Sequence, residues 1–185
     1  MSVVDERVTR LNDREVRKGR YVLYWMQQSQ RVEYNHALNA AIREANRAGL
    51  PLLVAFGLTD AYPEANLRHF QFMLEGLQDV AAALQKRGIG MVVRLGNPPE
   101  VALNIGHAAA LIVCDVGYLR HQRAWRDQVA READCRVLQV ESDAIVPVAV
   151  VSEKAEYAAR TIRPKIHKHW ERFLVACPRY RHKHA

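Results

Sequence analysis

Tyr21-Val22-Leu23-Tyr24-Trp25-Met26 is an apolar run of β-branched and aromatic residues, and a polar stretch separates it from Asn35. Beyond Asn35, Leu38, Ile42 and Ala45 recur at helical spacing as far as Gly49, and a second apolar run fills residues 52–57. A strand, an amphipathic helix stopped by glycine and another strand make a βαβ unit, the building block of a parallel sheet. The rest of the chain repeats the alternation. Phe70, Met73, Leu74, Leu77, Val80, Ala81 and Leu84 trace a long amphipathic helix ending before Gly88, and a strand follows at 91–95. Gly96-Asn97-Pro98-Pro99 then opens a short helix to residue 105, with Pro99 suited to its first position and Glu100 to the positive end of its dipole. A strand at 111–114, a helix at 120–133 and a strand at 137–140 complete the series. The expected fold is α/β: a Rossmann-like, doubly wound, five-stranded parallel sheet with helices on both faces.

Three stretches differ in texture. Residues 1–19 are charged with scattered apolar positions and read as a loosely attached N-terminal extension; residues 20–152 form the α/β domain; residues 153–185 form a helical C-terminal segment. Ser152-Glu153 opens that segment, and Pro164 is expected to begin a new helical piece rather than sit inside one. Ile166, Trp170, Phe173 and Leu174 give this piece an apolar face, which either packs on the sheet or meets a partner, a homodimer through this helix included.

At 185 residues, 49% hydrophobic and 25% charged, the chain has the composition of one globular domain with a sizeable core. It carries neither a run long enough to span a bilayer nor a signal-like start, so no membrane contact and a cytoplasmic location are expected. Cys114, Cys135 and Cys177 are odd in number and far apart, and the eight histidines lack ligand spacing, so neither disulfides nor a metal site is expected. The net charge of +7 suits an anionic partner, but much of the excess sits near the C-terminus, from Arg160 to Lys183. A basic face is usually only solvated, so DNA contact stands as an alternative.

The chemistry-bearing motifs are largely negative. The turn after the first strand reads Gln27-Gln28-Ser29-Gln30-Arg31 where a dinucleotide fold needs G-x-G-x-x-G, and neither a Walker loop nor a G-x-S-x-G elbow occurs. Ligands of open α/β sheets bind beyond the carboxyl ends of the strands. Candidate binding residues there are Trp25, Met26, Ser29, Arg31, Asp60, Asp115 and Arg120, a mixture suited to a flat conjugated ligand held by stacking and a few hydrogen bonds. Each also has a structural reading: Trp25 and Met26 as core, Asp60 and Asp115 as caps, Arg31 and Arg120 as surface ion-pair partners. No catalytic nucleophile with a paired base stands out.

Several runs in order resemble the N-terminal domain of class II cyclobutane-dimer DNA photolyases. They are Tyr24-Trp25-Met26 with Gln30-Arg31 and Asn35, Leu58-Thr59-Asp60, Phe72-Met73-Leu74-Glu75-Gly76-Leu77, Asp115 with Leu119-Arg120, residues 140–147 and residues 156–165. The chain departs from the family at Gln27-Gln28-Ser29 and at Ala144-Ile145. The resemblance implies an antenna domain, or a remnant of one, not catalytic alone, which in some members holds a light-harvesting chromophore such as 8-hydroxy-5-deazaflavin. It also implies a partner, a separate helical domain carrying reduced FAD that repairs pyrimidine dimers. No residue here corresponds to that domain, so FAD is not expected in this chain, and Trp125 and Trp170 are not candidates for its electron relay. A non-enzymatic Rossmann-like adaptor, binding DNA or a protein through the basic C-terminal segment, is the rival reading.

Overall fold

The computed structural model describes residues 5–184. The chain starts with a 3-10 turn at Asp5–Arg7 and strand β1 (Val8–Arg10), then enters β2 (Tyr21–Trp25), α1 (His36–Ala48) and β3 (Leu52–Leu58). It continues through α2 (Leu67–Gln85), β4 (Gly90–Leu95), α3 (Pro98–Gly106), β5 (Ala109–Asp115), α4 (Arg120–Glu132) and β6 (Arg136–Val140). Two further helices, α5 (Val148–Val151) and α6 (Ala159–Phe173), end the series.

Local chemistry sets the helix limits. The Asn35 side chain accepts the Leu38 N–H at 2.8 Å to start α1, and Gly49 ends it in the left-handed region at φ 66°. At α2, the Asn66 side chain accepts the His69 N–H while His69 Nδ1 accepts the Asn66 N–H, a reciprocal cap.

The sheet order is β1-β6-β5-β2-β3-β4, with β2 parallel to both β3 and β5, β4 parallel to β3, and β6 parallel to β5. From β2 the chain winds outward through β3 to β4, then crosses back to β5 and β6. The reversal lies between β2 and β5, where α/β folds open a crevice at the carboxyl edge. Alternate residues of β2 feed two cores: Val22, Tyr24 and Met26 pack with α1 and with Leu77, Val80 and Leu84 of α2, whereas Leu23 and Trp25 pack with Ala102 of α3 and Val129 of α4. Buried on both faces, β2 and β5 carry the continuous apolar sequences that marked them.

Two expectations change. The N-terminal extension supplies a sixth strand: β1 pairs antiparallel with β6, Val8 opposite Val140. Residues 1–4 of that extension lie outside the described residues. Arg7 anchors it, donating to the carbonyls of Glu141 (3.3 Å), Ala144 (2.9 Å) and Ile145 (2.5 Å), and Asn12 Nδ2 donates to Cys135 O at 3.0 Å. A three-residue edge strand has no periodicity to betray it, and side-chain hydrogen bonds replace the apolar signal. Pro164, in turn, sits inside α6 rather than starting a segment. Its missing N–H deprives the carbonyl of Arg160, an exposed residue in the first turn, where water can substitute.

The C-terminal tail is a strap over α1. Asn46 donates to Arg181 O (2.9 Å) and accepts the Lys183 N–H (3.0 Å), Asn39 Oδ1 accepts the Tyr180 N–H (3.3 Å), and Arg87 donates to Tyr180 O (3.0 Å). Cys177 Sγ lies 3.5 Å from His36 Nδ1. Burial pushes the His36 imidazole down to about 4, helped by the positive charges of Arg7 and Arg31. The folded value is below the unfolded one, so this contribution to stability is complete above about pH 6.5 and is lost as pH falls towards 4. Since the ring is partly solvated, roughly 1–2 kcal/mol is expected to disappear across that window. Urea midpoints at pH 7 and pH 4.5 check this: His36→Gln should lose clearly less stability on acidification than the wild type.

No helix among the described residues is long and apolar enough to cross a membrane.

Candidate functional site

A cleft of about 730 Å³ opens across the carboxyl edge of β2 and β3. Met26, Phe56 and Leu58 come from the strand ends, Gln27, Gln28 and Gln30 from the loop after β2, and Thr59 and Tyr62 from the loop after β3. The first turns of α2 add His69, Phe70, Phe72, Met73 and Gly76; Pro98 of α3 and Gln122 and Trp125 of α4 close the far side. Gly57 lets β3 approach α3 closely, because a Cβ there would stand 2.7 Å from Pro98 Cα.

The polar walls are fixed by chemistry below the cleft. Asp115, buried at the end of β5, accepts the Gln27, Gln28 and Ser29 N–H groups on Oδ2 at 2.8, 3.0 and 3.2 Å and the Tyr24 hydroxyl on Oδ1 at 2.8 Å. Burial pushes its carboxyl up, and these four donors pull it back. Asn35 Nδ2 donates to Tyr24 Oη, Ser29 O and Arg31 O, so the turn after β2 is held from both sides. Gln122 bridges the gap, donating to Gln28 Oε1 at 2.8 Å and accepting the Leu119 N–H at 3.2 Å. Tyr62, His121 and Trp125 form an edge-on aromatic cluster at the rim, with His121 centroids 4.8 Å from Tyr62 and 5.0 Å from Trp125.

Of the sequence-derived candidates, Met26 lines the cleft. The structure does not place the other six along its walls. Trp25 is wholly buried in the core on the α3/α4 side, its indole N–H without a partner among the described residues. Asp115 lies beneath the β2 loop, and Ser29 and Arg31 lie on the other side of that loop, where both donate to Asp143 Oδ1 at 3.0 and 3.1 Å. Asp60 and Arg120 are exposed outside the cleft. Phe70 and Met73, on an apolar stripe that suits either core or cleft at the start of the helix, line the cleft wall, and Met73 also packs against the core.

Two features escaped sequence reasoning. Gln27 lines the cleft with both amide atoms buried and unpartnered among the described residues. Such an orphaned donor–acceptor pair suits a ligand edge that offers the complementary acceptor and donor. Gly76 sits mid-helix on the cleft wall, and a Cβ there would meet nothing within 4 Å. No packing demands a residue that weakens a helix by about 1 kcal/mol relative to alanine, so Gly76 was the available signal that this wall leaves room.

The chain's relatives follow from comparison. The model of the family described as DNA photolyase matches residues 22–182. The deoxyribodipyrimidine photo-lyase of Methanothermobacter thermautotrophicus is 48% identical over 171 residues, covering 92% of this chain and 38% of that protein. That of Potorous tridactylus is 40% identical over 160 residues, 84% of this chain and 30% of that protein. The crystal structure of the archaeal photolyase from Sulfolobus tokodaii, solved with two FAD molecules, aligns at a TM-score of 0.61 and 15% identity over 80% of this chain and 34% of that one, a likeness of fold. The chain spans about a third of the length of these curated relatives, 38% of the first and 30% of the second. On the strength of the match over residues 22–182, the chain belongs to the DNA photolyase family and corresponds to the N-terminal α/β domain of its members.

Proposed function

We propose that this domain is a light-harvesting antenna module for light-driven repair of pyrimidine dimers in DNA. In this reading it holds a flat chromophore in the 730 Å³ cleft and passes excitation to reduced FAD in a separate helical domain. The observation that carries the proposal is the wall chemistry: Phe56, Tyr62, Phe70, Phe72 and Trp125 supply aromatic surface, and Gln27 supplies an unpaired buried amide. An amide matches the donor–acceptor edge of a pyrimidinedione ring, as in 8-hydroxy-5-deazaflavin. Phe72 is 80% exposed beside the cleft, as expected of a ring that closes over a ligand.

Neither lysine nor arginine is among the described lining residues, and Glu64 stands at the rim. A phosphate needs cations or clustered N–H donors, so the cleft favours a chromophore without phosphate over FMN or FAD. Energy transfer needs proximity and orientation, not an acid, a base or a nucleophile, which agrees with a cleft of amides and aromatics. Gln27, Gln28 and Tyr62 would orient the chromophore, and Met26, Phe56, Phe70 and Met73 would exclude water from its rings.

The test is the absorption spectrum of the full chain purified from a host that makes deazaflavins. An equimolar visible band that survives gel filtration, and is weakened in Gln27→Leu, supports the module. A folded, colourless protein contradicts it.

A further inference from the structure

Outside the cleft, the strongest unexplained feature is the outer face of α6. Residues 153–184 carry nine of the chain's Lys and Arg residues against three Asp and Glu, so this segment holds most of the net charge of +7. Some arginines of the sheet domain are paired, Arg31 with Asp143, Arg43 with Asp5, Arg47 with Glu44 and Arg136 with Glu15, whereas Arg68, Arg94, Arg120, Arg123 and Arg131 are exposed without an ion pair among the described residues, so an unpaired cation alone marks no site. On α6, Lys165 and Arg172 pair with Glu156 and Glu6 and so secure the helix to its surroundings. Among the described residues, Arg160, Arg163 and Lys168 have no ion-pair partner, and all three are exposed.

Their placement is ordered. Ile162, Ile166, His169 and Phe173 turn inward, Phe173 buried under the guanidinium of Arg7. Flanking that face, Arg160, Arg163, His167 and Trp170 follow one another at spacings of three and four, a single ridge along the helix. Trp170 is 44% exposed, and its ring lies 5.8 Å from that of His167 at an interplanar angle of 33°. The helix thus presents cations and a partly open aromatic platform side by side. Phosphates satisfy the first and an unpaired base the second, the combination by which proteins hold single-stranded nucleic acid without sequence preference. An acidic peptide would use the charges and leave the Trp170 platform idle. A lipid surface would require an apolar stripe along the helix, where Arg160, Arg163 and His167 stand instead.

We infer that the outer surface of α6, with Arg160, Arg163, His167 and Trp170 on one ridge and Lys168 on the flank beside His167, is a binding surface for single-stranded nucleic acid, separate from the cleft. It does not depend on whether the cleft binds a chromophore.

The experiment is fluorescence anisotropy of a labelled oligothymidylate titrated with the full chain at 50 to 200 mM salt. Neutralising about three phosphates on a single strand predicts a slope of about −2 in log affinity against log salt. Arg160→Glu with Arg163→Glu and Lys168→Glu should weaken binding by about 100-fold or more, whereas Lys86→Glu with Arg123→Glu and Arg131→Glu, an equal change of net charge on α2 and α4, should weaken it only a few-fold. Trp170→Ala should weaken it about 10-fold with the salt slope unchanged, because a stacking contact releases no counterions. Arg160→Gln with Arg163→Gln repeats the test with a milder change of the helix surface, and thermal melting verifies the fold of each variant. The inference is overturned by absence of salt-sensitive binding in the wild type, by equal losses from the two triple reversals, or by no response to Trp170→Ala. Tighter binding to a matched duplex, to polyglutamate or to anionic vesicles overturns it as well.

Discussion

Asp115→Ala should destabilise the protein by about 3–5 kcal/mol, the largest loss expected from any single polar substitution in the domain. The carboxylate serves four donors at once, three backbone N–H groups of the β2 loop and the Tyr24 hydroxyl, in a site closed to water. Removing it leaves those donors facing a void, and an unmet buried donor costs about 1–3 kcal/mol, reduced where the loop can shift toward solvent. For a chain of this size the melting temperature should fall by about 10 °C. Asp115→Asn keeps the shape but brings an NH2 group towards N–H donors, so it should lose about half as much. Tyr24→Phe removes one donor to the carboxylate and the hydroxyl that accepts from Asn35 Nδ2, and should lose about 1–2 kcal/mol. Urea denaturation at pH 7 orders the three. If Asp115→Ala lost less than about 1 kcal/mol, the loop would not depend on this carboxylate. The effect also reaches the cleft, because the same turn carries Gln27 and Gln28.

Gly76→Trp should reduce chromophore affinity by about 100-fold or more while leaving the fold intact. Position 76 faces the cleft from α2, and a side chain built there meets no atom of the protein within 4 Å. An indole would therefore lie in the space assigned to the chromophore, against Phe72 and Met73, without overpacking the core. Gly76→Ala separates the helix effect from the blockade: it should raise stability by about 0.5–1 kcal/mol and reduce affinity much less. Equal binding by Gly76→Trp and the wild type would place the ligand elsewhere.

The fold was legible where burial on two faces produces a continuous apolar run, as in β2 and β5, and where a helix stripe ends at a glycine, as α1 does at Gly49. β1 was not, because three residues held by Arg7 and Asn12 leave no pattern in the sequence. Pro164 misled because its preference is local, whereas α6 is fixed by packing of Phe173 and by ion pairs from Lys165 and Arg172. The run at residues 156–165, which resembles the family, ties the start of α6 to the segment before it. Glu156 accepts hydrogen bonds from Lys165 and Ser152, and its carboxyl is held down to about 2 by them, Lys165 foremost.

The candidate site was less legible than the fold. Ser29, Arg31 and Asp115 have the composition of a binding site, but their hydrogen-bonding capacity is used inside the protein, and a sequence does not say which partner a carboxylate has found. Phe70 and Met73 followed the apolar stripe of α2, yet its first turns extend past the sheet edge, so the same stripe runs from core into cleft. Gln27 drew no attention because an amide in a loop is ordinary until its atoms prove buried and unpaired.

The most direct test of the antenna assignment is titration of the purified chain with 8-hydroxy-5-deazaflavin, followed by the polarisation of the ligand's own fluorescence, with FMN as competitor. The account predicts saturable equimolar binding that FMN displaces poorly and that Gly76→Trp abolishes. Unpolarised emission throughout the titration, or polarisation unaffected by Gly76→Trp and Gln27→Leu, would contradict it.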